Sequence, residues 1–131
     1  MQKIRFLDIA EVVLVNKGQI QLFGGLHGIR DKSLLESAVY DVQSSFGGQY
    51  LYKDIHRMAA GYAYNIIKNH PFIDGNKRTG IVCCLIFLQY NEIELVFEQD
   101  ELYKLGIAIA TSKSKNIDKT AAIFKKKINH D

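Results

Sequence analysis

Apolar residues recur along the chain at helical spacing, and the pattern changes character near residue 70. Between residues 54 and 69, Ile55, Met58, Ala59, Tyr62, Ala63 and Ile66 mark one face of a helix. Residues 80–88 are apolar without a break, as in a helix buried on all sides. Pro71 separates the two, because a residue preceding proline is pushed out of the α region. Nearer the N-terminus, Asp8 and Glu11 have capping-box spacing, with Leu7 and Val12 at staple positions. The helix they open turns Val12, Val15 and Leu22 inward, and Gly24-Gly25 ends it. Gly18 weakens its second half.

Asp31, or Ser33 paired with Glu36, caps a second helix whose inner face is Leu34, Leu35, Ala38, Val39 and Val42. Residues 44–53 read as a loop pinned by Phe46 and Leu51. Asn91 closes the apolar helix. A fifth helix is expected over about residues 99–111, with Leu102, Leu105, Ala108 and Ile109 inward. A sixth is expected over about residues 116–129, with Ile117, Ala121, Phe124 and Ile128 inward. Ile4-Arg5-Phe6 and Ile93-Glu94-Leu95-Val96-Phe97 are candidates for one short β pair. The expectation is a compact all-α domain of six helices around residues 80–88.

Composition narrows the function classes. A chain of 131 residues, 47% hydrophobic and 24% charged, suits one soluble domain with its own core, here residues 1–131. The net charge of +3 is too mild to indicate nucleic acid by itself. Lys125-Lys126-Lys127 falls in a last helical turn, where cations complement the dipole. The nine-residue apolar run at 80–88 is too short to span a membrane, and Lys3 and Arg5 interrupt any leader. Cys83 and Cys84, adjacent on one helix, read as buried thiols of a reducing cytosol. A cytoplasmic location is expected.

The candidate chemistry lies in the joint His70-Pro71-Phe72-Ile73-Asp74-Gly75-Asn76-Lys77-Arg78-Thr79-Gly80. His70 can exchange a proton near neutral pH. Phe72, apolar in a polar loop, plugs into the core and places His70. Asp74 is a hard oxygen ligand suited to magnesium that keeps other positions for water and phosphate. Gly75 permits positive φ or close approach of backbone to a ligand. Asn76, Lys77, Arg78 and Thr79 open the next helix, where free N–H groups and the dipole favour an anion. Lys77 and Arg78 add full charges, Arg78 as a planar fork. Each residue alone has a plain structural explanation, Asp74 or Asn76 as an N-cap among them. The ordered combination points to phosphate transfer.

The joint resembles the Fic/Doc signature His-Pro-Phe-x-Asp/Glu-Gly-Asn-Gly-Arg-x-x-Arg, matched at His70, Pro71, Phe72, Asp74, Gly75, Asn76 and Arg78. Lys77 replaces the second Gly and Ile81 the last Arg. Those departures, with Gly24-Gly25, Gly28-Ile29-Arg30-Asp31 and Asp54-Ile55-His56, resemble the death-on-curing toxin branch of type II toxin–antitoxin systems. The resemblance covers about residues 5–128 and implies a Fic/Doc fold. Residues 44–53 resemble in position the flap by which Fic proteins hold target backbone, which implies a docking role for Tyr50 or Tyr52.

It also implies a toxin that uses ATP and Mg2+ to move the γ-phosphate to a Ser or Thr hydroxyl of a cellular protein. His70 would be the base and Asp74 the metal ligand. Gly75, Asn76, Lys77 and Arg78 would hold the nucleotide, and Lys77 and Arg78 would also stabilise developing charge. The implied partners are an antitoxin protein and a translation factor such as elongation factor Tu, though no residue encodes that target. Loss of the last Arg favours γ-phosphate over AMP transfer, the alternative the same parts could perform. A catalytically inactive Fic-like binding module is a further alternative. A helix-turn-helix DNA reader fits poorly, since residues 80–88 are too apolar for a groove.

Overall fold

The computed structural model describes residues 3–98 and 100–129. Among the described residues six α-helices form around one contiguous core: α1 (Ile9–Phe23), α2 (Lys32–Tyr40), α3 (Ile55–Asn69), α4 (Asn76–Tyr90), α5 (Glu101–Thr111) and α6 (Ile117–Lys126). Their starts follow local chemistry. Asp8 accepts from Glu11 N while Glu11 reaches back to Asp8 N, completing the capping box of α1. Asp31, rather than Ser33, caps α2 by accepting from Leu34 N. Asp54 caps α3 and Asn116 caps α6 in the same way.

The sequence places the hub at residues 80–88; the structure shares it with α3. Helix α3 packs against α2, α4, α5 and α6, and every residue from Met58 to Ile67 is buried. Helices α3 and α4 run back to back, and they close tightly at Gly80. A β-carbon there would stand 2.8 Å from Ile67 Cγ1 and 3.1 Å from the Ala63 carbonyl. Phe72, Phe87, Tyr62, Met58 and Phe124 fill the centre with almost no exposure.

Several expectations are corrected. Leu22, assigned to the inner face of α1, is 74% exposed, and Ala108 on α5 is also exposed. Each lies at the edge of an apolar stripe, past the arc its neighbours cover. Helix α6 ends at Lys126, and Ile128 instead forms an isolated antiparallel bridge with Leu95. The α5 start at Gln99 lies outside the described residues. Of the lysine run, Lys125 pairs with Asp54 and Lys127 with Glu101.

The β pair is elsewhere than expected. Ser45–Phe46 (β1) and Gln49–Tyr50 (β2) form a small hairpin through Gly47-Gly48. The segment at Ile4-Arg5-Phe6 is held instead by the Asn91 side chain, which accepts from Arg5 N and donates to Arg5 O.

Candidate active site

Helix α3 ends and α4 begins at the joint, so the site's position follows from their packing. Helix α3 closes on His70, which adopts a left-handed backbone at φ 53° and ψ 53°. Its N–H donates to Ile66 O at 3.2 Å, and its ring is exposed, with no hydrogen-bond partner among the described residues. The loop from Pro71 to Gly75 then folds on itself. Phe72 is fully buried. Phe72 N donates to Asn76 Oδ1 and Asn76 Nδ2 donates to Phe72 O, both at 3.0 Å. The Asn76 side chain is thus spent on shaping the loop, and only its backbone N–H faces the helix start.

Gly75 is the N-cap of α4, in a left-handed conformation at φ 79°, and no side chain among the described residues caps the helix. Neither Asp74 nor Asn76 fills that role. The N–H groups of Asn76, Lys77 and Arg78 therefore have no helical acceptor. A β-carbon at Gly75 would press on Ile20 Cδ1 at 3.2 Å and Asn16 Nδ2 at 3.3 Å, so both conformation and space favour glycine.

Lys77 and Arg78 are exposed on different flanks. The Lys77 β-carbon lies toward Gly106 of α5, and the Arg78 guanidinium sits 4.4 Å from the Phe23 ring centre. Neither joins an ion pair among the described residues. Ile81 is buried toward Gly106. Where the longer family pattern has its last arginine, this chain has a core residue.

The segment between α1 and α2 forms the other wall. Asp74 Oδ2 accepts from Leu26 N at 2.8 Å, and Gly25 allows that approach, since a β-carbon there would lie 3.1 Å from the Asp74 β-carbon. The second Asp74 oxygen is free of protein donors among the described residues. Ile73 N donates to Gly28 O at 2.9 Å, and Ile29 bridges Phe72. Arg30 reaches across with Nε to His70 O at 2.6 Å and Nη2 to Asn69 O at 3.0 Å. From α1, the wholly buried Asn16 donates to Asp74 O at 2.9 Å and to Thr79 Oγ1 at 3.1 Å.

Asn16 and the bonding of Arg30 were not singled out from sequence. A buried Asn amid Val12, Val13 and Val15 is the only signal that could have marked the first.

The loop at 44–53 does not serve this site. Its hairpin lies beside Ile55 and Met58, in the first turn of α3, whereas His70 follows the last turn. Phe46 and Leu51, expected to be packed, are 83% and 62% exposed. Tyr50 is edge-on to Phe6. Tyr52 packs over Gly61 and donates to Asp41 Oδ2 at 2.6 Å, in a network with Lys115 and Asn65. Burial and the neighbouring Asp41 carboxylate push the Tyr52 phenol well above its ordinary value. It is a brace rather than a docking group.

As to metals, no cluster of three or more His, Cys, Asp or Glu occurs among the described residues. One free oxygen on exposed Asp74 fits magnesium shared with phosphates and water, and does not fit an all-protein cage.

The Fic/DOC family matches residues 6–88, more than half the chain. "Protein kinase doc" of Escherichia phage P1 is 29% identical over 110 residues, spanning 84% of this chain and 86% of that protein. "Toxin Doc" of Mycolicibacterium smegmatis is 33% identical over 102 residues, spanning 76% of this chain and 78% of that one.

Proposed function

The chain belongs to the Fic/DOC family, and from that premise we propose that it is a toxin-type protein kinase acting on a Ser or Thr hydroxyl. The observation that carries this reading is the pairing of an unpartnered His70 ring with the uncapped start of α4, joined by a closed five-residue loop. His70 accepts the proton of the attacking hydroxyl as general base. The N–H groups of Asn76, Lys77 and Arg78 hold phosphate oxygens at the positive end of the helix. Asp74 presents its free oxygen to Mg2+, while its other oxygen is kept in place by Leu26 N. ATP with magnesium supplies the transferable phosphoryl group and the charge that balances it. Lys77 and Arg78 flank the same helix start and stabilise negative charge developing there.

Ile81 favours γ-phosphate over AMP transfer, because a buried isoleucine cannot replace the arginine that anchors terminal phosphates in the Fic pattern. The two free, buried cysteines are consistent with action in the cytoplasm. A relative is named a toxin, and by its resemblance to the death-on-curing branch the chain would be restrained by an antitoxin. None of its Ser or Thr residues precedes a Glu by four positions, the spacing of a built-in Fic inhibitory helix. A translation factor such as elongation factor Tu is the substrate class to test first.

The test is to incubate cell extract and magnesium with ATP labelled at the γ- or the α-phosphate. Wild-type protein should transfer the γ-label alone, and His70→Ala should lower transfer by about 10²–10⁴-fold without unfolding. Transfer of the α-label would make it an AMP-transferase. Labelling by wild type and His70→Ala alike no greater than that of the extract alone would leave a binding module.

A further inference from the structure

We propose that Arg30 is a positioning residue for the transfer reaction, fixing the backbone of His70 from outside the signature. The proposal rests on the reading of His70 as the base. His70 is unusual before its chemistry is considered. A helix closing in the left-handed region normally does so on Gly or Asn, and a bulkier residue stays there only when its surroundings hold it. Proline follows, so the next residue brings no N–H to help.

The holding groups come from the two residues that precede α2. Arg30 Nε donates to His70 O at 2.6 Å, and Nη2 donates to Asn69 O at 3.0 Å. The next carbonyl, of Pro71, accepts from Arg30 N at 2.7 Å and Asp31 N at 3.0 Å. Three successive carbonyls around the base are thus bound by one residue and its neighbour. Arg30 is itself planted firmly. Asp31 caps α2, and Asn69 Nδ2 donates back to Leu34 O at 3.1 Å. The exposed guanidinium joins no ion pair among the described residues. Its bonds all go to backbone oxygens, and only a planar fork can satisfy two of them in fixed directions. A lysine could reach one.

A cation that merely complemented the end of α3 would affect folding and nothing else. A positioning residue affects turnover in the folded protein. With rates normalised to the folded fraction, Arg30→Ala should lower kcat by about 10²-fold, the scale of a small misplacement of a reacting group. KM for ATP should barely move, because Arg30 does not touch the start of α4. Arg30→Lys should fall between, and it serves as the second variant should Arg30→Ala fold poorly. Added guanidinium should restore part of the Arg30→Ala rate and none of the His70→Ala rate.

A second measurement needs no activity. A strong intraresidue HN–Hα NOE marks positive φ, and His70 should show it in the wild type and lose it in Arg30→Ala. Full kcat in both folded variants would overturn the proposal. If the wild type transfers no label, the base assignment fails, and the NOE alone judges Arg30. Its persistence in the variant overturns the positioning role, and its loss supports it.

Discussion

Replacing Asn16 by Ala tests whether the joint is held from α1. The side chain is fully buried and donates to Asp74 O at 2.9 Å and Thr79 Oγ1 at 3.1 Å, with Oδ1 3.3 Å from His27 Nδ1. Each lost hydrogen bond is worth about 0.5–1.5 kcal/mol net. The Thr79 hydroxyl can turn back to a carbonyl in its own helix, so its loss is the smaller. The Asp74 carbonyl accepts from Asn16 alone among the described residues, in a part-buried bond, and a stranded polar group costs about 1–3 kcal/mol. The sum is about 2–3 kcal/mol. At roughly 4 °C per kcal/mol for a chain of this size, that is a melting point lowered by about 8–12 °C. Asn16→Asp should be worse near neutral pH, since it replaces the donor with a carboxylate facing a carbonyl, and should recover in acid as protonation restores a donor. Urea unfolding followed by circular dichroism, with thermal melts across pH, measures both. An Asn16→Ala loss under about 0.5 kcal/mol, within the range of ordinary surface changes, would refute the bracing role.

Asp74→Asn keeps an oxygen to accept from Leu26 N but loses the ligand charge, so a magnesium titration should show label transfer collapsing while the melt moves by less than about 4 °C. Gly80→Ala should destabilise by about 1–3 kcal/mol in urea, since the added carbon meets Ile67 and the Ala63 carbonyl. For Asp41, burial alone would raise the carboxyl, but hydrogen bonds from Tyr52 and Asn65 and the Lys115 charge outweigh it and hold the value below the usual 3.8. That contribution is complete above the unfolded value and disappears as pH falls through the folded one. Tyr52→Phe should bring the folded value back up, shrinking the window, so acid unfolding should begin at higher pH than in the wild type.

What the sequence made legible was local. The Asp8–Glu11 box, the stop at Pro71 and a helix over the apolar run after Gly80 are decided within a turn or two of chain, and the structure agrees with each. Val82, Leu85 and Ile86 nonetheless leave that helix half-buried on one side rather than buried all round. The composition of the joint was equally readable, because its residues are consecutive. How they are held was not. Arg30 lies 40 residues from His70, and Asn16 lies 58 from Asp74, so no periodicity links them. Leu22 and Phe46 misled for a different reason. Apolar character marks a tendency to be buried, but a chain this small has more apolar side chains than core to receive them. The Gly47-Gly48 pair did carry a hairpin signal, of the type that tolerates positive φ at both positions.

The hairpin offers an experimental handle. Among the described residues nothing lies within 4 Å of where Gly47 and Gly48 side chains would be, and their flanking residues are exposed. Fifteen residues of α3 separate this tip from His70, about 22 Å of rigid rod. A short epitope or dye-binding peptide spliced between the two glycines would therefore project into solvent, away from the chemistry. Tagging either terminus carries no such assurance, since Ile4 and Phe6 pack against the core at one end and the Ile128 bridge seals the other. An internal tag at this turn would let the protein be followed in living cells while its joint, and whatever docks there, is left untouched.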